Sequence, residues 1–151
     1  MDRVVHAFQV LAQPAANTTA IRDANGFLEA FQKTQHAWTV ADELLAQQHD
    51  AADANANASL RAAHIFAAQT LRAKIQFDFA ELPAAIHEQL RATLLKHVLQ
   101  FGRGPQPVLT QLCLAVASLA LHMEAWASPV TDLVAAMTAP ADEALAKLPC
   151  L

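Results

Sequence analysis

A chain of 151 residues has the length of one domain, and a compact domain of that size buries about 68–70% of its unfolded surface. With 54% hydrophobic and 16% charged residues, it lies far from the low-hydropathy, high-charge regime of intrinsic disorder. The net charge of -4, with Lys and Arg scattered singly, argues against a nucleic-acid surface, since no basic cluster could displace counterions from phosphates.

Alanine is the commonest residue, glycine numbers three and tyrosine is absent, so helix formers dominate and strand clusters are missing. The chain is predicted to be all-α. The first helix spans residues 3–13, with Val4, Val5, Phe8 and Leu11 on one side and Pro14 beyond its end. In the second, Asn17 or Thr18 serves as N-cap and Ala24, Phe27, Leu28 and Phe31 form the apolar stripe. Its opposite face carries Arg22, Gly26, Glu29 and Lys33. Glycine inside a helix costs about 1 kcal/mol relative to alanine. Either another backbone approaches closely at Gly26, or the residue is simply tolerated.

The third helix is "HAWTVADELLAQQ", with Trp38, Ala41 and Leu45 in line and Leu44 beside them. The stretch "HDAADANANAS" reads as an exposed loop, and Ser59 as the cap of the helix that follows. On that helix Arg61, Gln69, Arg72 and Gln76 share a narrow polar stripe, while Leu60, Ala63, Phe66, Ala67, Leu71, Ile75 and Phe79 cover most of the remainder. Pro83 starts the next helix in the first-turn position that tolerates proline, with Ile86, Leu90, Leu94, Val98 and Phe101 along it and Gly102 at its end. After the turn "GRGPQP", the run "VLTQLCLAVASLALHM" is apolar on nearly every side except for Gln111, Ser118 and His122. Trp126, the helix "PVTDLVAAM" and, beyond Pro140, the short amphipathic "ADEALAKL" complete the chain.

Helices of about 10–19 residues joined by short breaks form antiparallel pairs. Central helices that bury two faces fit an α-solenoid, in which each pair contacts the pairs before and after it. A globular bundle with a buried central helix has the same periodicity. Cys113 lies in an apolar run as a small buried hydrophobe, and with Cys150 it forms no disulfide framework, so a reducing compartment is expected. No apolar run reaches about 18 residues and the N-terminus lacks a signal-peptide pattern, so the protein is expected to be soluble, intracellular and without a membrane partner. The sequons at Asn17 and Asn57 are then chance matches.

Four stretches carry a resemblance: "LEAFQKTQHAWTVADELL" (28–45), "FAAQTLRAKIQFDFAELP" (66–83), "LRATLLKHVLQF" (90–101) and "VLTQLCLAVASLALHMEAWASPVTDLV" (108–134). Together they resemble the amino-terminal HEAT repeats of importin-β superfamily nuclear transport receptors, in the transportin-SR and importin-thirteen branch. Order and spacing agree over roughly residues 4–138. The resemblance implies a right-handed α-solenoid of about three HEAT-type antiparallel helix pairs over residues 1–138. Residues 139–151 are an unmatched tail, either the start of a further repeat or an unrelated ending. "DAADANANAS" lengthens the loop before the second repeat, and Gly26 stands where the family tends to be bulky. Family receptors are also several times longer.

The resemblance implies further that this is the arm that grips the GTP-bound form of the GTPase Ran. The full-length receptor would carry Ser/Arg-rich cargoes past nucleoporins, shuttle between nucleus and cytoplasm, and release cargo when Ran-GTP binds. Import and export receptors share this amino-terminal architecture. The candidate partner residues lie on the inner helices: Arg22, Glu29 and Lys33; Gln69, Arg72, Lys74 and Gln76; Gln111, Ser118 and His122. Polar groups in parallel rows match a flat, charged partner surface. The bland alternative for each is an ordinary solvated face, and Lys74 and Arg72 stand first through their place in the matching motif.

Trp38 and Trp126 sit in apolar settings that favour packing over an interface role. The seven histidines include no HExxH or paired His/Cys spacing, so neither metal nor cofactor is expected. His97 reads as a core residue and His36 as a helix start. With no Ser-His-Asp set, P-loop or close carboxylate pair, the chain is expected to be non-enzymatic. Two rivals to the receptor arm are a Ran-independent helical scaffold binding another protein or peptide, and a small helical metalloprotein or enzyme using its histidines.

Overall fold

The computed structural model describes residues 1–13, 16–47 and 54–138. Seven α-helices appear among these: α1 (Asp2–Ala12), α2 (Thr18–Gln32), α3 (His36–Ala46), α4 (Ala54–Asp78), α5 (His87–Phe101), α6 (Gln106–His122) and α7 (Pro129–Thr138). Two 3₁₀ turns, Phe79–Glu81 and Ala84–Ile86, join α4 to α5, and no strand occurs among the described residues. The all-α expectation holds. The unmatched tail, 139–151, lies outside the described residues, as does the first part of the Ala/Asn-rich stretch.

Two boundaries differ from the sequence reading. The low-complexity stretch is not a loop throughout, because α4 already begins at Ala54 and Ser59 lies within it rather than capping it. Three alanines, at 54, 56 and 58, supply helix propensity that offsets the intervening asparagines. Pro83 does not open α5 directly. Its extended backbone (φ -58°, ψ 138°) leads into the 3₁₀ turn, and α5 follows from His87.

The chain forms two compact units, Met1–Lys74 and Ile75–Leu151, and α4 runs from one into the other. In the first unit α1 packs along α2, burying Val4 and Phe8 from one helix and Ala24 and Leu28 from the other. Phe8 meets Phe66 of α4 edge-to-face with centroids 5.3 Å apart. From α3, the fully buried Leu44 and Leu45 join Ala67 and Leu71 of α4 in the core. Polar ties complete it: the Gln32 side-chain amide donates to Thr70 Oγ1 (2.9 Å), and His64 Nε2 lies 3.1 Å from the Gln47 carbonyl.

The second unit is built on the α5–α6 hairpin, with α7 against α5. Leu94, Val98, Val108, Leu112 and Leu119 are fully buried, and so is His97 beside them at 2% exposure. Phe79 has two histidine rings close by: His87 at 4.3 Å and His122 at 5.4 Å between centroids, both inclined by about 30° or less to the phenyl plane. Trp126, also buried, donates from Nε1 to Asp132 Oδ2 (2.7 Å) and lies under the Arg91 guanidinium, 5.5 Å from its ring. Cys113 is half-buried rather than fully enclosed, and its burial still pushes the thiol pKa up.

Candidate partner-binding rows

In the first unit α2 presents Arg22, Gly26 and Glu29, all exposed, on one line of its surface, which the exposed C-cap residue Lys33 continues. Positions four, three and four apart recur on one face because the helix repeats every 3.6 residues. Among the described residues, the side chains of Arg22, Glu29 and Lys33 enter no ion pair or hydrogen bond. The Asn17 side chain fixes the start of the helix by accepting the Ala20 backbone N–H at 2.7 Å. A Cβ added at Gly26 would meet nothing within 4 Å, so no backbone among the described residues approaches it.

On α4 the same unit exposes Gln69, with Arg72 half-buried and engaged with a neighbour. Lys74 departs from the expected row. It is 2% exposed and already has an interaction partner within the protein. The sequence reading put it in the row for its place in the motif that carries the resemblance. Yet a shift of two residues on a helix is about 200°, which carries Lys74 to the covered side.

In the second unit Gln76 and His122 are exposed, whereas Gln111 and Ser118 are only half so. The Ser118 hydroxyl donates back to the Leu114 carbonyl at 2.9 Å, and His122 rests on Phe79. The most open line of α6 lies one residue round from the expected one and runs through Thr110, Leu114, Ala117 and Leu121. Leu121 is 86% exposed, and Phe77, at the end of α4, is 74% exposed. These two side chains were missed. An α6 sequence that is apolar on nearly every side carries no periodic signal for its open face, and only the packing of α5 selects it. Leu114 and Leu121, about two turns apart on one line of α6, form an exposed apolar row. Among the described residues no group of three or more His, Cys, Asp or Glu is placed to hold a metal, and no helix is long and apolar enough to cross a membrane.

The described residues thus form an all-α protein of packed helical hairpins with charged and apolar rows exposed. The importin-β N-terminal domain matches residues 24–100, and the chain belongs to the importin-β family of nuclear transport receptors. It is 43% identical to transportin MOS14 of Arabidopsis thaliana over 102 residues, 68% of this chain and 10% of that protein. It is 32% identical to the mRNA transport regulator MTR10 of Saccharomyces cerevisiae over 138 residues, 89% of this chain and 13% of the relative. Against human importin-13 the identity is 41% over 71 residues, 46% of this chain and 7% of the relative. The chain thus spans roughly a tenth of the length of the curated relatives it matches.

Proposed function

We propose that this chain is the Ran-GTP-binding amino-terminal arm of a transportin-SR-like nuclear import receptor. The observation that carries the reading is the family match over residues 24–100, which includes most of α2 with the unengaged charges of Glu29 and of Lys33 at its C-cap. In this reading residues 1–138 are about three HEAT-type pairs of a right-handed α-solenoid, and the arm is non-enzymatic. Nucleoporins and Ser/Arg-rich cargo belong to the full-length receptor, which shuttles between nucleus and cytoplasm. Arg22, Glu29, Lys33 and Gln69 in the first unit, and Gln76 and His122 in the second, offer accessible contacts. Arg72, Gln111 and Ser118 are half-buried, and Lys74 contributes through the helix it helps to hold rather than by direct contact.

The test is a titration of Ran loaded with a non-hydrolysable GTP analogue, and in parallel with GDP. The expected result is selective binding of the GTP form, weakened by R22E and K33E without a change in melting temperature. Equal binding of both forms by a folded sample, also after extension to full length, would overturn the reading. K74E is a poor probe, since reversing a buried, partnered charge costs about 3–5 kcal/mol of stability and confounds folding with binding. The exposed Phe77, Leu114 and Leu121 favour a second reading, a Ran-independent scaffold that takes an apolar segment of another protein. Its signature is a partner lost in L121D and indifferent to the nucleotide on Ran.

A further inference from the structure

Asn25 and Gly26 stand side by side in the middle of α2, both exposed. Of the four asparagines in the chain, only Asn25 precedes a glycine. Asn17 precedes the β-branched Thr18 and spends its side-chain oxygen on the Ala20 N–H, while Asn55 and Asn57 precede alanine. Among the described residues the Asn25 side chain makes no hydrogen bond, and the space around a Cβ built at Gly26 is open to 4 Å. Among those residues, only the helical backbone keeps the Asn25 side-chain amide from the Gly26 nitrogen.

We infer that Asn25–Gly26 is a site of spontaneous deamidation, locked by the helical backbone of α2 and released when that helix opens. In the open chain the Gly26 nitrogen gives its proton to solvent base and attacks Cγ of Asn25. The new C–N bond closes a five-membered succinimide, the bond to the side-chain NH2 breaks, and ammonia leaves carrying a proton. Water then adds to one of the two ring carbonyls and yields aspartate or isoaspartate, with no change of oxidation state. Two features of α2 oppose the first step. The α-helical pattern engages the Gly26 N–H with the Arg22 carbonyl, and a ψ of about -42° must be abandoned before the ring can close. Once the helix opens, glycine offers no Cβ to hinder the attack and moves freely into non-helical backbone.

The two products act differently on α2. A carboxylate at position 25 lies three residues after Arg22 and four before Glu29, so one attractive and one repulsive neighbour offset each other. Isoaspartate carries the main chain through the former side chain and adds a methylene to the helix beside Ala24, which is buried against α1. The i to i-4 register cannot run through that insertion. Its formation therefore makes the opening of α2 permanent.

The 151-residue chain is aged at mildly alkaline pH, folded and in urea, as wild type, G26A, N17A and N17D. Peptide mapping by mass spectrometry locates the products, and enzymatic methylation of the free α-carboxylate counts isoaspartate. Conversion at Asn25 is expected to be slower in the folded wild type than in urea by about tenfold or more. N17A, which lacks the cap of α2, should speed it about fivefold in the folded chain, with N17D restoring the wild-type rate. G26A should slow it in both states, and aged wild type should melt below freshly prepared N25D. No product at Asn25 in urea would overturn the site. Equal rates folded and in urea, or an N17A rate equal to wild type, would overturn the lock, and aged wild type melting like N25D would overturn the permanent opening.

Discussion

The two tryptophans show how far one residue can be read from sequence and where reading stops. Both were assigned to packing on their apolar neighbours, and Trp126 is indeed 5% exposed. What the sequence hides is the state of each indole N–H. Trp126 Nε1 reaches Asp132, six residues on, through a loop whose path no periodicity encodes. The Trp38 Nε1 is buried and has no hydrogen-bond partner among the described residues. W126F should therefore lower stability by about 1–3 kcal/mol, because it strips a carboxylate of its donor as well as removing ring contacts. In W38F the smaller ring loses contacts but an unsatisfied buried donor disappears, so the change should stay within about 1 kcal/mol of zero. Urea titrations of the two variants give the comparison, and equal losses would contradict it. Lys74 is the complementary case, where motif position pointed outward and helix phase turned the side chain in.

At the level of the helix, starts and faces were legible where a single residue type decides them. Asn17 is such a residue, since a side-chain acceptor at that position takes the Ala20 N–H that would otherwise fall to water. N17A should cost about 1 kcal/mol, N17D should restore it, and thermal melts of the pair will show whether the cap matters. The start of α4 was not legible, because alternating alanine and asparagine gives propensities of opposite sign and the outcome rests on what the helix later packs against. The same holds for the α6 row. Gln111 and Ser118 looked like the wet side because they are polar, yet serine can spend its hydroxyl on its own helix, as Ser118 does on Leu114. The α2 row, by contrast, was read correctly in phase, because its apolar and charged residues separate cleanly around the helix.

For the whole chain, composition alone established the helical class, and the family followed from four stretches of sequence rather than from any site chemistry. For α7 the sequence reading gave a helix and assigned none of its faces. Val130, Val134 and Met137, at i, i+4 and i+7, are each more than half exposed and form an apolar ridge along the helix. A ridge of this kind draws molecules together, so the 151-residue chain should elute above monomer mass at high concentration. V134K/M137K should return it to monomer, whereas a wild type that stays monomeric throughout would show that the ridge is too small to drive association. The division into Met1–Lys74 and Ile75–Leu151 leaves exactly one tryptophan on each side, Trp38 and Trp126. Tyrosine is absent, so ultraviolet emission excited near 295 nm comes from these two rings alone. With W126F only the first unit glows, and with W38F only the second. Denaturation followed by fluorescence in the two variants then reports whether α4, shared by both units, makes them melt as one body or lets one half dissolve before the other.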